Sequence, residues 1–507
     1  MHHDASIVKG SAGSRCRATA RVGLNLLLLV LVGCTHTTIP LTHISVPVPR
    51  LSVDMDPFME IFGSYREGNF RNRSWTDAFQ AMHQKMSREY PFTEWKAIDW
   101  EALYDAWYPL VEAAEDEGDA RAYYLALRAY IHSIPDGYLH ITAPDAYRDE
   151  AIGGDFGFAL LPLDDGRLIV AHVREDSIAA LSGIKWGAEI IEWNGMPARE
   201  ALEQTSLLWS THPAATREYA LYEKSMLMTR APVGTEVTLM FQNRDEEDAW
   251  ITRIEARPDR YAGMTDLMRR DKPFSEFESP IESSMLEGNI GYVKVYCQAP
   301  TLVTPFPERL FRRTIERFVR DDVQGIVLDL RGNVGGMDDL AAVFAGHFTN
   351  TPLFFHDVVA FDSDKGGFAY LESERLDVEP RAPYFSGPLA ILVHRNTRDS
   401  AQAMAAVLQP LDKVFSVGAL AAEGSYAYES MGYIQMPEGH HIYYPTGRML
   451  DEDGNILVTS GVDRESRVNP EMRLPMTLEK LDAYFNHGGD PVLEAAVAEI
   501  KARAEQS

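Results

Sequence analysis

In the C-terminal half of the chain, apolar residues gather in short blocks: Ile290–Val295, Ile326–Leu330, Leu389–Val393 and Val414–Gly418. Bounded by polar or glycine-containing stretches, each reads as a buried strand. Between them, Arg309–Val319 is amphipathic, and Met337–Phe348 and the Ala-rich Ala401–Leu408 read as helices. Alternating strands and helices predict an α/β layer with parallel pairing, its sheet covered on both faces. Further upstream, Trp100, Leu103, Trp107, Leu110 and Val111 recur at three and four within Trp75–Ile134, which predicts a small helical domain. Phe156 to Arg257 runs instead as short strands and glycine turns, among them the strand Leu168–Val173. Asp259–Pro280 is charged and contains proline, as a linker does.

Leu389–Glu423 reads as strand, turn, helix and strand, with Ser400 where the polar turn His394–Asp399 meets the helix. A helix N-terminus offers free backbone N–H groups and the positive end of the dipole, where a developing oxyanion is best held. Asp399 and Ser400 equally suit an N-cap. Upstream, Gly325–Gly336 (GIVLDLRGNVGG) is a strand running into a glycine turn that lets N–H groups approach a ligand closely.

Together, DLRGNVGG and the later NTRDSA starting at Asn396 resemble the C-terminal-processing (tail-specific) serine peptidases and their tricorn-like relatives. The likeness spans about Gly154 to Thr477. It implies that Ser400 is the nucleophile and that the N–H groups of Gly335, Gly336 and Ala401 form an oxyanion hole. It implies a multidomain α/β protein with a helical domain at 75–150, a PDZ-like β-rich domain at 154–258, a linker at 259–284, an α/β peptidase core of the ClpP/crotonase-like kind at 285–480 and a C-terminal helix at 481–507. In the PDZ-like domain, the loop Phe156-Gly157-Phe158 would take a peptide's terminal carboxylate. The implied partner is a polypeptide substrate or a protein C-terminus.

The family's proton relays are not preserved. Tricorn-like members carry a histidine where Tyr138 stands, and a supporting glutamate where Val458 stands. The lysine of the Ser-Lys type is missing from Val417–Ser425. His140, two residues on, is a replacement base, because side chains at i and i+2 of a strand share a face. Tyr138, Glu423 and Asp399 are the other groups able to replace the base or orient it. Two readings follow: a serine peptidase with a rearranged base, or a peptide-binding pseudopeptidase.

Composition narrows the setting. Lys9, Arg15, Arg17 and Arg21 precede the apolar run Val22–Gly33, too short to span a bilayer, and Cys34 follows at once. This resembles a bacterial lipoprotein signal over residues 1–33, with Cys34 acylated and 34–74 a tether. That places the protein in the cell envelope, on the outer membrane in a Gram-negative cell, touching the membrane through its anchor only. The net charge of −27 makes nucleic acid a poor partner. Cys297 is left as a buried packing residue, the adjacent pair His440-His441 as a solvated edge, and no Cys/His spacing calls for a metal or other cofactor.

Overall fold

The computed structural model describes residues 68–505 except 143, 268–274, 276 and 429–431. The expected signal segment, Cys34 and nearly all of the tether lie outside the described residues. Three helices come first: α1 (Trp75–Glu89), α2 (Trp100–Glu117) and α3 (Ala120–His132), N-capped by Ser74, Asp99 and Asp119. Their aromatic faces bury Phe79, Tyr123 and Tyr130, but the cluster is completed by Ile434, Met436, Ile442 and Tyr444. The helical unit therefore shares its core with a hairpin more than 290 positions further on (Tyr433–Gln435 and His441–Tyr443). His440, expected at a solvated edge, is buried there against Tyr124, ring centroids 5.0 Å apart.

The second unit is an antiparallel sheet of β1 (Phe158–Pro162), β2 (Leu168–Val173), β3 (Glu189–Trp193), β4 (Glu236–Gln242) and β5 (Trp250–Glu255), in that order. Helix α4 (Arg217–Met228) packs on β1, so the four residues Phe158–Leu161 of this edge strand are buried. The expected linker is partly structured. Asp259 is clamped by Arg230 and Arg174 through contacts of 2.7–2.9 Å, and β6 (Ile281–Leu286) already belongs to the core sheet.

That sheet runs β6, β7 (Ile290–Val295), β8 (Gly325–Asp329), β9 (Leu389–Leu392), β10 (Val414–Gly418) and β11 (Met472–Arg473). Only β6 is antiparallel to its neighbour. Uninterrupted apolar runs suit such strands because both faces are covered. One face carries α5 (Pro307–Arg320), α6 (Asp338–Ala345) and α7 (Ser400–Leu408). The other carries Ala496 and Ile500 of the terminal helix. The C-terminal segment holds two helices, α8 (Leu478–Phe485) and α9 (Pro491–Ala504), rather than one. Cys297 is free and buried, and burial pushes its thiol up to about 11.

Candidate active site

Adjacent parallel strands put the loops that follow β8 and β9 at one edge of the sheet, where α/β folds place ligands. The loops are stitched together. Thr397 Oγ1 donates to Leu330 O (2.9 Å), Arg398 N–H to Asn333 O (2.9 Å) and Gly336 N–H to Asp399 Oδ2 (3.1 Å). Gln298, just beyond β7, forms a third wall: its N–H donates to Gly335 O (2.9 Å) and its carbonyl accepts from Met337 N–H (2.8 Å). Gly335 and Gly336 have φ of +90° and +145°. A Cβ on them would lie 2.2 Å from Asp399 Cβ and 2.5 Å from Gln298 O, so only glycine fits either place.

The backbone reverses at Asp399, with φ +52° and ψ −134°, a region costly for any residue with a side chain. This reversal aims the Asp399 carboxylate at the glycine turn, where Oδ2 accepts from Gly336 and Oδ1 accepts from the Tyr138 hydroxyl. Burial pushes the Asp399 carboxyl up, against the pull of these donors. Nearby, Asp338 is pushed up to about 7 by burial and by the charge of Asp399. Tyr426 donates to Asp338, and its hydroxyl lies 2.9 Å from His356 Nδ1.

Ser400 lies against Gln298. It is fully buried as the first helical residue, and its hydroxyl makes one hydrogen bond, to Gln298 Oε1 at 3.3 Å. It is not the N-cap, a position Asp399 holds without a side-chain cap bond. Nor does any imidazole or carboxylate hydrogen-bond to its hydroxyl among the described residues, although its backbone N–H donates to the Asp399 carboxylate. The expected oxyanion donors are all engaged within the chain: Gly335 N–H by Asn333 Oδ1 (2.8 Å), Gly336 N–H by Asp399, and Ala401 N–H by Arg398 O (3.1 Å).

The expected base does not reach Ser400 either. The strand begins only at His140, because Asp136–Leu139 is a turn, so Tyr138 and His140 do not share a strand face. His140 pairs with Tyr443 across the hairpin, rings 6.1 Å apart, and lies near His132. Tyr138 does enter the site, but bound to Asp399. Glu423 is buried behind the Tyr138 turn, close enough that a Cβ on Gly137 would be 1.9 Å from its Oε1. Burial pushes its carboxyl up, while Arg398 at 3.9 Å draws it down. Its Oε2 accepts from Ser425 N–H (3.1 Å), whose hydroxyl accepts from Gly137 N–H (2.9 Å), and it makes no bond to Ser400. Val458 is packed into the core.

In the second unit, the loop expected to capture a carboxylate is already filled. Gly157 N–H donates to Asp155 Oδ1 (2.5 Å), and Phe156 and Phe158 are buried. Burial pushes Asp155 up to about 6 against the pull of Arg174 and Arg230. Sequence reasoning missed Gln298 and the outward placement of Asp399. The one available signal was that Asp, with Asn, tolerates positive φ better than other non-glycine residues.

Residues 289–468 match peptidase family S41. Over 226 residues the chain is 24% identical to the chloroplastic carboxyl-terminal-processing peptidase 3 of Arabidopsis thaliana, covering 43% of this chain and 38% of that protein, so well under two thirds of that relative is matched. Among solved structures, mature CPAF complexed with lactacystin is similar over 86% of this chain and 99% of its own, at TM-score 0.60 and 14% identity. A peptidase of Parabacteroides merdae is similar over the same shares at TM-score 0.50 and 14% identity. At such identities the structures show a shared fold.

Proposed function

Because residues 289–468 belong to peptidase family S41, a family of serine-type peptidases, we propose that the protein engages polypeptide in the cleft beyond β8 and β9 but does not cleave it through Ser400. One observation carries this reading: the side chain facing the glycine turn and Tyr138 is Asp399, while Ser400 is buried on Gln298. A serine without a base attacks slowly, and a carboxylate on Gly336 N–H holds negative charge where a tetrahedral intermediate would need to place its own. Binding is supported by Val334 and Met337, 57% and 52% exposed on either side of the glycine pair, apolar surface of the kind that polypeptide covers. The antiparallel second unit, with its short helix Ile178–Leu181, supports a PDZ-like reading without carboxylate capture at Gly157. The core supports a ClpP/crotonase-like reading, and the Cys34 segment supports lipid anchoring in the envelope. Family membership favours a second reading, hydrolysis through a Ser400 acyl-enzyme, which requires Ser400 to leave Gln298 and Asp399 to leave Gly336.

The test uses the full chain and a fluorescent, reduced and alkylated unfolded protein, following anisotropy for binding and mass spectrometry for fragments. Saturable binding without fragments is expected. Fragments that appear with the parent and disappear with Ser400→Ala would overturn the proposal.

A further inference from the structure

A cavity of about 480 Å³ lies between α5 and the segment that follows the strand Leu376–Val378, and none of its lining residues belongs to the cleft. Three arginines, Arg309, Arg312 and Arg381, line it against one carboxylate, Glu308. Three cations less one anion leave +2, in a chain whose net charge is −27. Its walls are fixed. Phe311 of α5 stacks on Phe344 of α6, ring centroids 4.3 Å apart, and Arg309 and Arg312, three positions apart, share a helix face. On the other wall, Arg381 N–H donates to Gly346 O (2.8 Å) and Phe385 N–H to His347 O (2.9 Å). His347 Nδ1 donates to Pro383 O (2.8 Å), because a carbonyl can only accept. A Cβ on Gly346 would lie 3.1 Å from Arg381 Cγ, so the arginine stem is seated on this turn. His347 is itself buried, and its imidazole is pushed down by burial and by the charges of Arg381 and Arg312, so both guanidinium groups are felt at one ring in the cavity wall. Glu308 lies 3.8 Å from Arg309, whereas Arg312 and Arg381 make no ion pair among the described residues.

We propose that this cavity binds a phosphate monoester, with the phosphate between Arg312 and Arg381. Charge selects the class: a phosphate monoester carries about −1.5 to −2 at neutral pH and matches the +2 of the lining, where a single carboxylate would balance only half of it. Guanidinium forks suit phosphate oxygens, which they bind in pairs through charge-assisted hydrogen bonds. The volume is that of a small-molecule site, so the group esterified to the phosphate enters with it, against Val343 and Ala382. A soluble phosphate ester and the headgroup of a phosphatidic acid share this chemistry. Neither Ser400 nor the cleft takes part.

The probe is glycerol 3-phosphate, titrated calorimetrically into the full chain carrying Cys34→Ser, so that no acyl anchor contributes. Saturable binding to one site is expected. Arg312→Gln and Arg381→Gln should each weaken it at least about ten-fold, since each removes charge-assisted bonds. Arg313→Gln removes the same charge from the same helix but lies outside the cavity lining, and it should leave affinity within about two-fold. Thermal unfolding checks each variant, and if Arg381→Gln fails to fold, Arg312→Gln decides. Sedimentation with phosphatidylcholine vesicles, with and without phosphatidic acid, separates the two sources. Binding to glycerol 3-phosphate that Arg312→Gln weakens supports a soluble ester. Binding only to vesicles containing phosphatidic acid, lost in Arg312→Gln, supports a lipid headgroup. Absence of binding in both assays, or binding that Arg312→Gln leaves intact or that Arg313→Gln weakens equally, would overturn the proposal. Succinate binding as tightly as glycerol 3-phosphate would overturn it too, because the site would then take any dianion.

Discussion

Replacing Ser400 with alanine separates a structural hydroxyl from a nucleophile. The hydroxyl is fully buried, and its bond to Gln298 Oε1, at 3.3 Å, is long for O–H···O. Its removal orphans Gln298 Oε1 beside an Nε2 that already has no partner. An orphaned buried acceptor costs about 1–3 kcal/mol, and the weakness of the lost bond argues for the lower end. No capping loss adds to this, because the N-cap is Asp399. The expected cost is therefore about 1–2 kcal/mol. For a folded body of roughly 440 residues, an unfolding entropy of about 2.1 cal/mol/K per residue converts this to only about 1–2 °C in Tm. Urea midpoints are the better readout. Ser400→Ala, Gln298→Leu and the double variant should show coupling, the double costing less than the two singles together, since removing both partners leaves no orphan. All four proteins are also assayed for degradation of an unfolded substrate. No coupling, together with hydrolysis lost in Ser400→Ala, would refute the reasoning.

Gly336→Ala should destabilise by about 2–4 kcal/mol, because its Cβ meets backbone at Gln298 and φ is +145°; urea unfolding within 1 kcal/mol of the parent would contradict the interlocked walls. The pair Asp155/Asp259 should give acid unfolding two windows of opposite sign. Burial pushes Asp259 up, but the bonds from Arg230 and Gly263 outweigh it and hold the carboxyl down at about 2, so its contribution is present above its unfolded pKa near 3.8 and lost as pH falls through about 2. Asp155, raised to about 6, holds its proton more tightly when folded, so its contribution grows as pH falls from about 6 toward about 4. Asp259→Asn should flatten the loss below about pH 4 in urea midpoints measured from pH 2 to 7, and an unchanged slope would count against the clamp.

Much of the core was legible because parallel strands covered on both faces need uninterrupted apolar runs. Ile290–Val295 and Val414–Gly418 are strands as expected, and Ile326–Leu330 is displaced by a single residue. What escaped was structure made by distant partners. The strands Leu353–Asp362, Gly367–Tyr370 and Leu376–Val378 form a separate sheet, whose pairing with Gly447–Leu450 no local pattern announces. Asp259 looked like linker charge because nothing near it in sequence reveals Arg174 and Arg230, which bury it. The helical domain could be seen from its aromatic spacing, but not that its core needs Ile434 and Ile442.

At the site, the decisive quantity is a register of one residue. The motif places Asp399 and Ser400 side by side at a helix start, and either could face the cleft, depending on where the chain reverses. A reversal at 399 presents a carboxylate to Gly336 and Tyr138 and leaves the hydroxyl on Gln298. Moved on by one residue, it would present the hydroxyl instead. Both arrangements keep the same strand, helix and glycine turn, so a family match registers them alike, yet only one offers a nucleophile. Tyr138, standing where the resemblance implies a histidine, fits the arrangement seen: a phenol donates a hydrogen bond to a carboxylate but, with an ordinary pKa near 10, is a poor base for a serine at neutral pH. In the proposed reading Tyr138 and Asp399 therefore act as one unit, the phenol holding the carboxylate on the glycine turn.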